Sequence, residues 1–225
     1  MFLSVFDMFK VGVGPSSSHT MGPMVAAARC LDQLRASPFH VAGLRASLHG
    51  SLAFTGVGHA TDRATILGLA GFMPDTYDRD KAEAALRDIS ETGTVSPEGL
   101  GTLKFDPKAD LVFDYGAALP GHANGMILMA TDAQGDVTVQ ETFYSVGGGF
   151  VLTEAELEAG KDTDDGPPVP HPFKSAAEML EMCKATGMSI AELKRANELS
   201  RMSREELEQG LGRIWEVMRS CMELG

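Results

Sequence analysis

Hydrophobic and polar positions along the first two thirds of the chain switch between helical and strand periodicity. Residues 21–35 place apolar side chains at helical spacing, and residues 61–72 have the same character and end at Gly71, so both predict helices. Four further segments predict strands: residues 39–50, 111–115, 126–132 and 137–146. The last two are expected to form a hairpin across the polar sequence DAQGD. The pattern therefore predicts an α+β domain of mixed helices and sheet over residues 1–153.

The remaining residues have a different pattern. Residues 154–174 are acidic and rich in proline, which predicts a linker or loop because such a composition buries little apolar surface. Residues 175–225 contain Ser-x-x-Glu sequences that fit the capping box and predict three short helices, beginning at Ser175, Ser189 and Ser203. The last helix carries an apolar stripe, from Leu207 to Cys221, which needs a partner surface.

Composition and charge exclude several classes of protein. The chain has 225 residues, of which 44% are hydrophobic and 22% charged, as in ordinary globular proteins. Its net charge of −12 argues against nucleic acid or an anionic membrane as partner. No apolar run approaches the ~20 residues of a membrane span, and no signal peptide precedes the first motif, so we expect a cytoplasmic protein. The three cysteines are too scattered for a disulfide framework or a zinc site.

The sequence GPSSSHT is the first candidate for chemistry. A serine here is a good N-cap for the following helix, and the free N–H groups of the first turn form an anion site for a carboxylate or a phosphate. A capped helix with no ligand is the alternative. We favour the ligand because the hydroxyls occur together with His19. The candidate binding residues are Ser16, Ser17, Ser18 and Thr20.

Three glycine-containing clusters are further candidates. In TGVGHATD, glycines give the backbone the freedom to present His59 at close range. In LPGHANGM, the amide of Asn124 can bind a carboxylate or an ammonium group. In FYSVGGGF, the turn Gly147, Gly148, Gly149 suggests close approach of the backbone to a ligand or another chain. Each also has a purely structural interpretation: a hydrogen-bonded histidine, a plain turn and a bulge.

Taken together and in order, these stretches resemble the iron–sulfur-dependent L-serine dehydratases (L-serine deaminases) of bacteria. The matching sequences are SVFDMFKVGVGPSSSHTMGPM, GSLAFTGVGHATDRA, LPGHANGM and FYSVGGGF, which cover nearly all of residues 4–153. Two positions depart from the family pattern, since Ala60 stands where glycine is usual and Ala123 where proline is usual. The helical tail resembles the segment that leads into that family's second domain.

The resemblance implies the amino-terminal (beta) domain or subunit of an L-serine ammonia-lyase. The implied fold is α+β, like the allosteric substrate-binding domain of phosphoglycerate dehydrogenase, followed by a short helical segment. Family enzymes bind a [4Fe–4S] cluster through cysteines of the second, catalytic domain, and the three cysteines of this chain match none of them. The cluster is therefore expected on that second domain and not on this chain. The expected partners are L-serine, the second domain or subunit, and further copies in a homo-oligomer.

The implied reaction converts L-serine to pyruvate and ammonia by removing the α-proton and expelling the β-hydroxyl. Histidine suits the base because it titrates near neutrality, so His59 is the first candidate and His19 the second. The chain would supply one wall of the active-site cleft and be inactive alone, with these groups holding substrate: Ser16, Ser17, Ser18, Thr20, Asn124 and the Gly147–Gly149 turn. The alternative is a regulatory module that binds serine or another small carboxylate and has no catalytic groups. A hydrolase using Ser18 and His19 is weaker, because neighbours at a helix start do not face one another.

Overall fold

The computed structural model describes residues 2–160 and 168–224. Its contacts separate two units, each described by itself below. The sheet unit is Gly12–Gly160, and the helical unit joins Met1–Val11 to Lys161–Gly225. The sheet unit thus runs past residue 153, where the sequence predicts a boundary, and the N-terminal segment groups with the C-terminal helices.

The strands form one mixed sheet. In chain order they are β1 (Gly43–Gly50), β2 (Thr94–Val95), β3 (Leu103–Lys104), β4 (Leu111–Asp114), β5 (Asn124–Thr131), β6 (Val137–Gly147) and β7 (Phe150–Thr153). Their order across the sheet is β2-β3-β1-β5-β6-β7, and β4 also pairs with β1. β1 is parallel to β3 and β4, whereas the β1–β5, β5–β6 and β6–β7 pairs are antiparallel. The α+β fold class is confirmed; the more specific likeness to the phosphoglycerate dehydrogenase domain stays an expectation.

The described residues form nine α-helices. They are α1 (Val5–Met8), α2 (Gly22–Ala36), α3 (Ser51–Phe54), α4 (Thr61–Leu69), α5 (Arg79–Thr92), α6 (Glu154–Glu158), α7 (Ala176–Thr186), α8 (Ile190–Leu199) and α9 (Arg204–Leu224). A π-helical turn, Ser17–Met21, precedes α2, and a 3-10 turn, Val57–His59, precedes α4. Of the described helices, none is long and apolar enough to cross a membrane.

The core lies between one face of the sheet and helix α2. Period-two alternation on β1 buries Leu44, Ala46 and Leu48, and the paired β5 adds Met126 and Leu128. These side chains pack in one cluster with the apolar side chains of α2: Ala26, Ala27, Cys30, Leu31 and Leu34. Full burial of each leucine stabilises the fold by about 1.5–3 kcal/mol relative to exposure. Ile127 and Met129 on the other face of β5 are only partly buried.

The predicted linker begins as a helix. Helix α6 starts at a capping box in which Glu156 N donates to Thr153 Oγ1 at 3.2 Å and Thr153 N donates to the Glu156 carboxylate at 2.7 Å. The acidic composition that indicated a loop therefore favours a helix start, because carboxylates stabilise the first turn. Residues 161–167 lie outside the described residues, and the linker there stays a prediction.

The helical unit contains α1, α7, α8 and α9. Ser175 caps α7, and full capping boxes begin α8 at Ser189 and α9 at Ser203, as the sequence predicts. The buried carboxylate of Glu198 accepts hydrogen bonds from Ser4 Oγ and Val5 N, both at 2.7 Å, and so fastens α1 to α8. Along the α9 stripe, Leu207 is buried, whereas Met218 and Cys221 are exposed. What covers the exposed part stays a prediction.

Candidate active site

The serine-rich sequence folds into a π-helical turn that continues directly into α2. Ser16 is the N-cap, and its Oγ accepts a hydrogen bond from His19 N at 3.2 Å. Its carbonyl accepts from both Thr20 N, at 3.0 Å, and Met21 N, at 3.2 Å, which widens the turn. Ser17 is exposed, Ser18 and His19 are half-buried and Thr20 is buried. Within the described residues, the backbone N–H groups of Ser17 and Ser18 have no acceptor, and the exposed turn leaves them available to an anion.

Both ring nitrogens of His19 contact serine hydroxyls. Nδ1 lies 2.9 Å from Ser18 Oγ, and Nε2 lies 3.0 Å from Ser51 Oγ. Burial lowers the pKa of His19 below its usual value, the nearby His59 adds to that effect, and a hydrogen bond to the backbone of Ser51 partly offsets it. A neutral ring has one donor and one acceptor nitrogen, so one serine donates to His19 and the other accepts from it.

His59 ends the 3-10 turn before α4. Its Nδ1 lies 2.9 Å from the carbonyl oxygen of Thr55, which can only accept, so Nδ1 carries a proton. In a neutral His59, Nε2 then presents a lone pair, and no described residue hydrogen-bonds to it. Thr20 Oγ1 donates to the His59 carbonyl at 2.8 Å, which ties the π-helical turn to this histidine. Ala60 follows with a left-handed φ of 53°, the conformation that explains the usual glycine there.

The two candidate bases lie side by side. Their ring centroids are 4.8 Å apart, and the rings are tilted by 38°. A positive charge on one ring disfavours a positive charge on the other at this distance. This repulsion is one cause of the lowered pKa of His19, and the ring with the free nitrogen is that of His59.

Asn124 and the Gly147–Gly149 turn differ in their relation to the two histidines. Asn124 begins β5 opposite Gly50, and its Nδ2 donates to the Ser145 carbonyl at 3.1 Å. Gly50 is followed by Ser51, so Asn124 lies one register position from the residue that contacts His19. The Gly147–Gly149 turn joins β6 to β7 with left-handed φ values of 96°, 60° and 74°. No hydrogen bond among the described residues joins this turn to either histidine.

Sequence reasoning missed three residues around the histidines. Ser51 lies in the sequence GSLAFTGVGHATDRA, and its contact with His19 spans 32 positions of sequence. Ser145 Oγ and Thr61 Oγ1 are buried hydroxyls without a hydrogen-bond partner in the described part of the chain. Ser145 packs against Gly22, where a Cβ would lie 2.0 Å from its Oγ. Only the packing of β6 on the start of α2 reveals this contact.

The cysteines do not fit an iron–sulfur cluster, which needs several thiolates close together. Cys30 is 2% exposed in the core of the sheet unit, and burial, with a smaller effect of Glu141, raises its pKa to about 12. Cys183 and Cys221 lie on α7 and α9 of the helical unit. Among the described residues, no group of three or more histidine, cysteine, aspartate or glutamate side chains is placed to hold a metal ion.

Comparison with known proteins gives consistent matches. Residues 4–156 match the family model of the serine dehydratase beta chain. The chain is 42% identical over 227 residues to the L-serine dehydratase of Streptomyces coelicolor, covering 100% of this chain and 50% of that protein. It is 39% identical over 226 residues to L-serine dehydratase 1 of Escherichia coli, covering 99% of this chain and 49% of that protein. It is also 37% identical over 222 residues to the L-serine dehydratase of Helicobacter pylori, covering 99% and 48%. The chain thus spans about half the length of the curated relatives that it matches.

Proposed function

The chain belongs to the serine dehydratase beta chain family, and from that premise we propose that it forms one wall of the active-site cleft of an L-serine ammonia-lyase. The enzyme would deaminate L-serine to pyruvate and ammonia. The other wall would belong to a second domain or subunit that corresponds to the remaining half of the relatives. Any [4Fe–4S] cluster would be bound by that second part, because the cysteines of this chain do not fit one. The roles below concern only residues of this chain.

The observation that supports this proposal is the free Nε2 of His59. A base for the α-proton needs an unprotonated nitrogen that faces the substrate, and hydrogen bonding of Nδ1–H to Thr55 fixes that tautomer. His19 is the weaker candidate, because serine hydroxyls occupy both of its ring nitrogens. We therefore assign proton removal to His59 and a supporting role to His19.

Some of the hydroxyl groups are suited to bind substrate, and others hold the protein structure around the site. Ser17 and Ser18, with their backbone N–H groups, are suited to hold the substrate carboxylate at the positive end of the helix dipole. Ser16 serves this turn as its N-cap, and Thr20 positions the His59 segment through its bond to the His59 carbonyl. Asn124 would contact substrate through its amide oxygen or its second N–H, because one N–H of Nδ2 is donated to the Ser145 carbonyl.

The test is His59→Gln in the active enzyme, with His40→Gln as the matched control. His40 also contacts a backbone carbonyl, that of Val41 at 3.1 Å, but it is exposed and precedes β1. His59→Gln should lower kcat by about 10²–10⁴, the usual contribution of a positioned base, and should leave the melting temperature nearly unchanged. The control should leave kcat unchanged. The chain alone should release no pyruvate from L-serine.

Three results would contradict the proposal. Near-normal turnover of His59→Gln would exclude His59 as the base. If the variant instead changed only the activation of the enzyme by serine, with kcat retained at saturating substrate, the chain would be the regulatory module. Loss of activity together with stability would indicate a structural histidine.

A further inference from the structure

Ser51 is the residue that contacts both histidine segments. Its Oγ lies 3.0 Å from His19 Nε2. Its carbonyl oxygen accepts hydrogen bonds from Thr55 N at 3.0 Å and from Thr55 Oγ1 at 2.8 Å. The Thr55 carbonyl in turn accepts from His59 Nδ1 at 2.9 Å. One hydrogen-bonded path therefore runs from the first imidazole through Ser51 and Thr55 to the second.

The position of Ser51 is itself fixed by the sheet. Ser51 N donates to the Ala123 carbonyl at 2.8 Å, directly beyond the last β1–β5 pair, Gly50 with Asn124. Gly50 adopts φ 55° and ψ −129°, and a Cβ on it would lie 2.4 Å from the Ala123 oxygen. The chain can therefore turn from β1 into α3 at this point only with a glycine. Ser51 is therefore held at the end of β1 by a bond to the residue that directly precedes β5.

His19 has no ring nitrogen left for a substrate, so its contact with Ser51 needs another explanation. The two rings lie 4.8 Å apart, and the orientation of His19 limits the space in which the His59 ring can turn. Without the Ser51 hydroxyl, His19 Nε2 would lack its partner, and the ring would be held from one side only, by Ser18. A loosened His19 would no longer hold the orientation of the pair.

We propose that Ser51 is a positioning residue, whose hydroxyl clamps the His19 imidazole against His59 and thereby keeps His59 Nε2 directed at the substrate. This inference rests on the proposed function, and it adds a residue that acts through the histidines without touching substrate. A misplacement of a reacting group by about 1 Å can lower turnover by as much as about 10²-fold, so such a clamp has a measurable effect.

The first test uses the 225-residue chain and long-range proton–nitrogen NMR spectra, which report the tautomer of each histidine. Ser51→Ala should change the tautomer balance of His19, because Nε2 loses the hydroxyl that it contacts at 3.0 Å. Ser51→Thr should restore the wild-type signals. The matched control is Ser47→Ala, because Ser47 Oγ lies 2.7 Å from Nε2 of a different histidine, His49. Ser47→Ala should change the NMR signals of His49 and leave those of His19 unchanged.

The second test is kinetic and uses the active enzyme. Ser51→Ala should lower kcat by about tenfold or more with KM changed less than about twofold, because the lost contact acts on the transition state. Ser51→Thr should recover most of kcat, and Ser47→Ala should retain it. If Ser51→Ala fails to fold, Ser18→Ala, on the exposed turn, releases the other nitrogen of His19 and should change the same tautomer signal.

The outcomes separate this inference from the proposed function. If His59→Gln abolishes turnover while Ser51→Ala has normal kcat and a normal His19 tautomer, the positioning role is wrong and the function stands. If His59→Gln is fully active but Ser51→Ala still changes His19, the clamp exists and the assignment of the base is wrong. An equal loss of kcat in Ser51→Ala and Ser51→Thr, with His19 signals unchanged, would also overturn the clamp.

Discussion

Replacing Gly50 by alanine tests how restrictive the turn before Ser51 is. The backbone at Gly50 has φ 55° and ψ −129°, where a side chain costs about 1–3 kcal/mol of strain. The added Cβ would lie 2.4 Å from the Ala123 oxygen and 3.1 Å from Ala118 Cβ. Forced overpacking of this kind costs about 1–3 kcal/mol more. Since the Ala123 oxygen is held by Ser51 N, we expect Gly50→Ala to lower the free energy of unfolding of the sheet unit by about 2–6 kcal/mol.

The matched control is Gly93→Ala. Gly93 has a similar φ of 63°, but a Cβ there would meet no heavy atom within 4 Å. Gly93→Ala should therefore lower the free energy of unfolding by only about 1–2 kcal/mol, the cost of a left-handed backbone at alanine. Urea titrations followed by NMR signals from β1 and β5 would report the sheet unit itself, which matters because a chain with two units need not unfold in one step. A Gly50→Ala variant no less stable than Gly93→Ala would refute the reasoning.

Two further predictions concern ionisable groups. Burial raises the pKa of Cys30 to about 12. Thiol reagents at about pH 8 should therefore label the exposed Cys221 and should react with Cys30 only after the chain is unfolded. Equal labelling rates of the two cysteines in the native protein would contradict this prediction. Burial lowers the pKa of His19 below 6.5 in the folded state, so the unfolded chain takes up that proton first as the pH falls. The His19 contribution to the free energy of unfolding should therefore decrease as the pH falls below about 6.5 and become constant below the pKa of the folded state. His19→Gln should make the free energy of unfolding depend less steeply on pH in this range. An unchanged pH dependence in the variant would show that other groups cause it.

Much of the fold could be predicted from local pattern. Helices α2 and α4, strands β1, β4, β5 and β6, and the β5–β6 hairpin follow from periodicity and turn sequence. The sequence did not predict β2 and β3, because two-residue strands have no period and exist only through their pairing with each other and with β1. Helix α5 was also missed, although Ala82, Leu86 and Ile89 recur at helical spacing on its inner side.

The site was predictable as a set of motifs but not as an arrangement. The serines predicted an N-cap, and Ser16 is that cap, yet the widened π-helical turn depends on contacts that no local pattern shows. Thr20 illustrates the difference, because the sequence offers it as a hydroxyl for substrate. In the structure it is buried and bonded to the His59 carbonyl. A hydroxyl close to a histidine in sequence can thus serve a different histidine in space.

The meeting of the two histidines has its cause in the packing of the helices that follow them. His19 lies in the turn that leads into α2, and His59 lies just before α4. The two helices touch where a Cβ on Gly68 would lie 2.4 Å from the Met24 carbonyl oxygen and 2.7 Å from Ala27 Cβ. A glycine inside a helix costs about 1 kcal/mol relative to alanine, so its presence in ILGLAGF is a signal of close approach by a neighbour. That signal indicates contact without naming the partner. Only the fold shows that the partner is α2, and that Thr20 Oγ1, which donates to the His59 carbonyl at 2.8 Å, joins the segments that carry the two imidazoles.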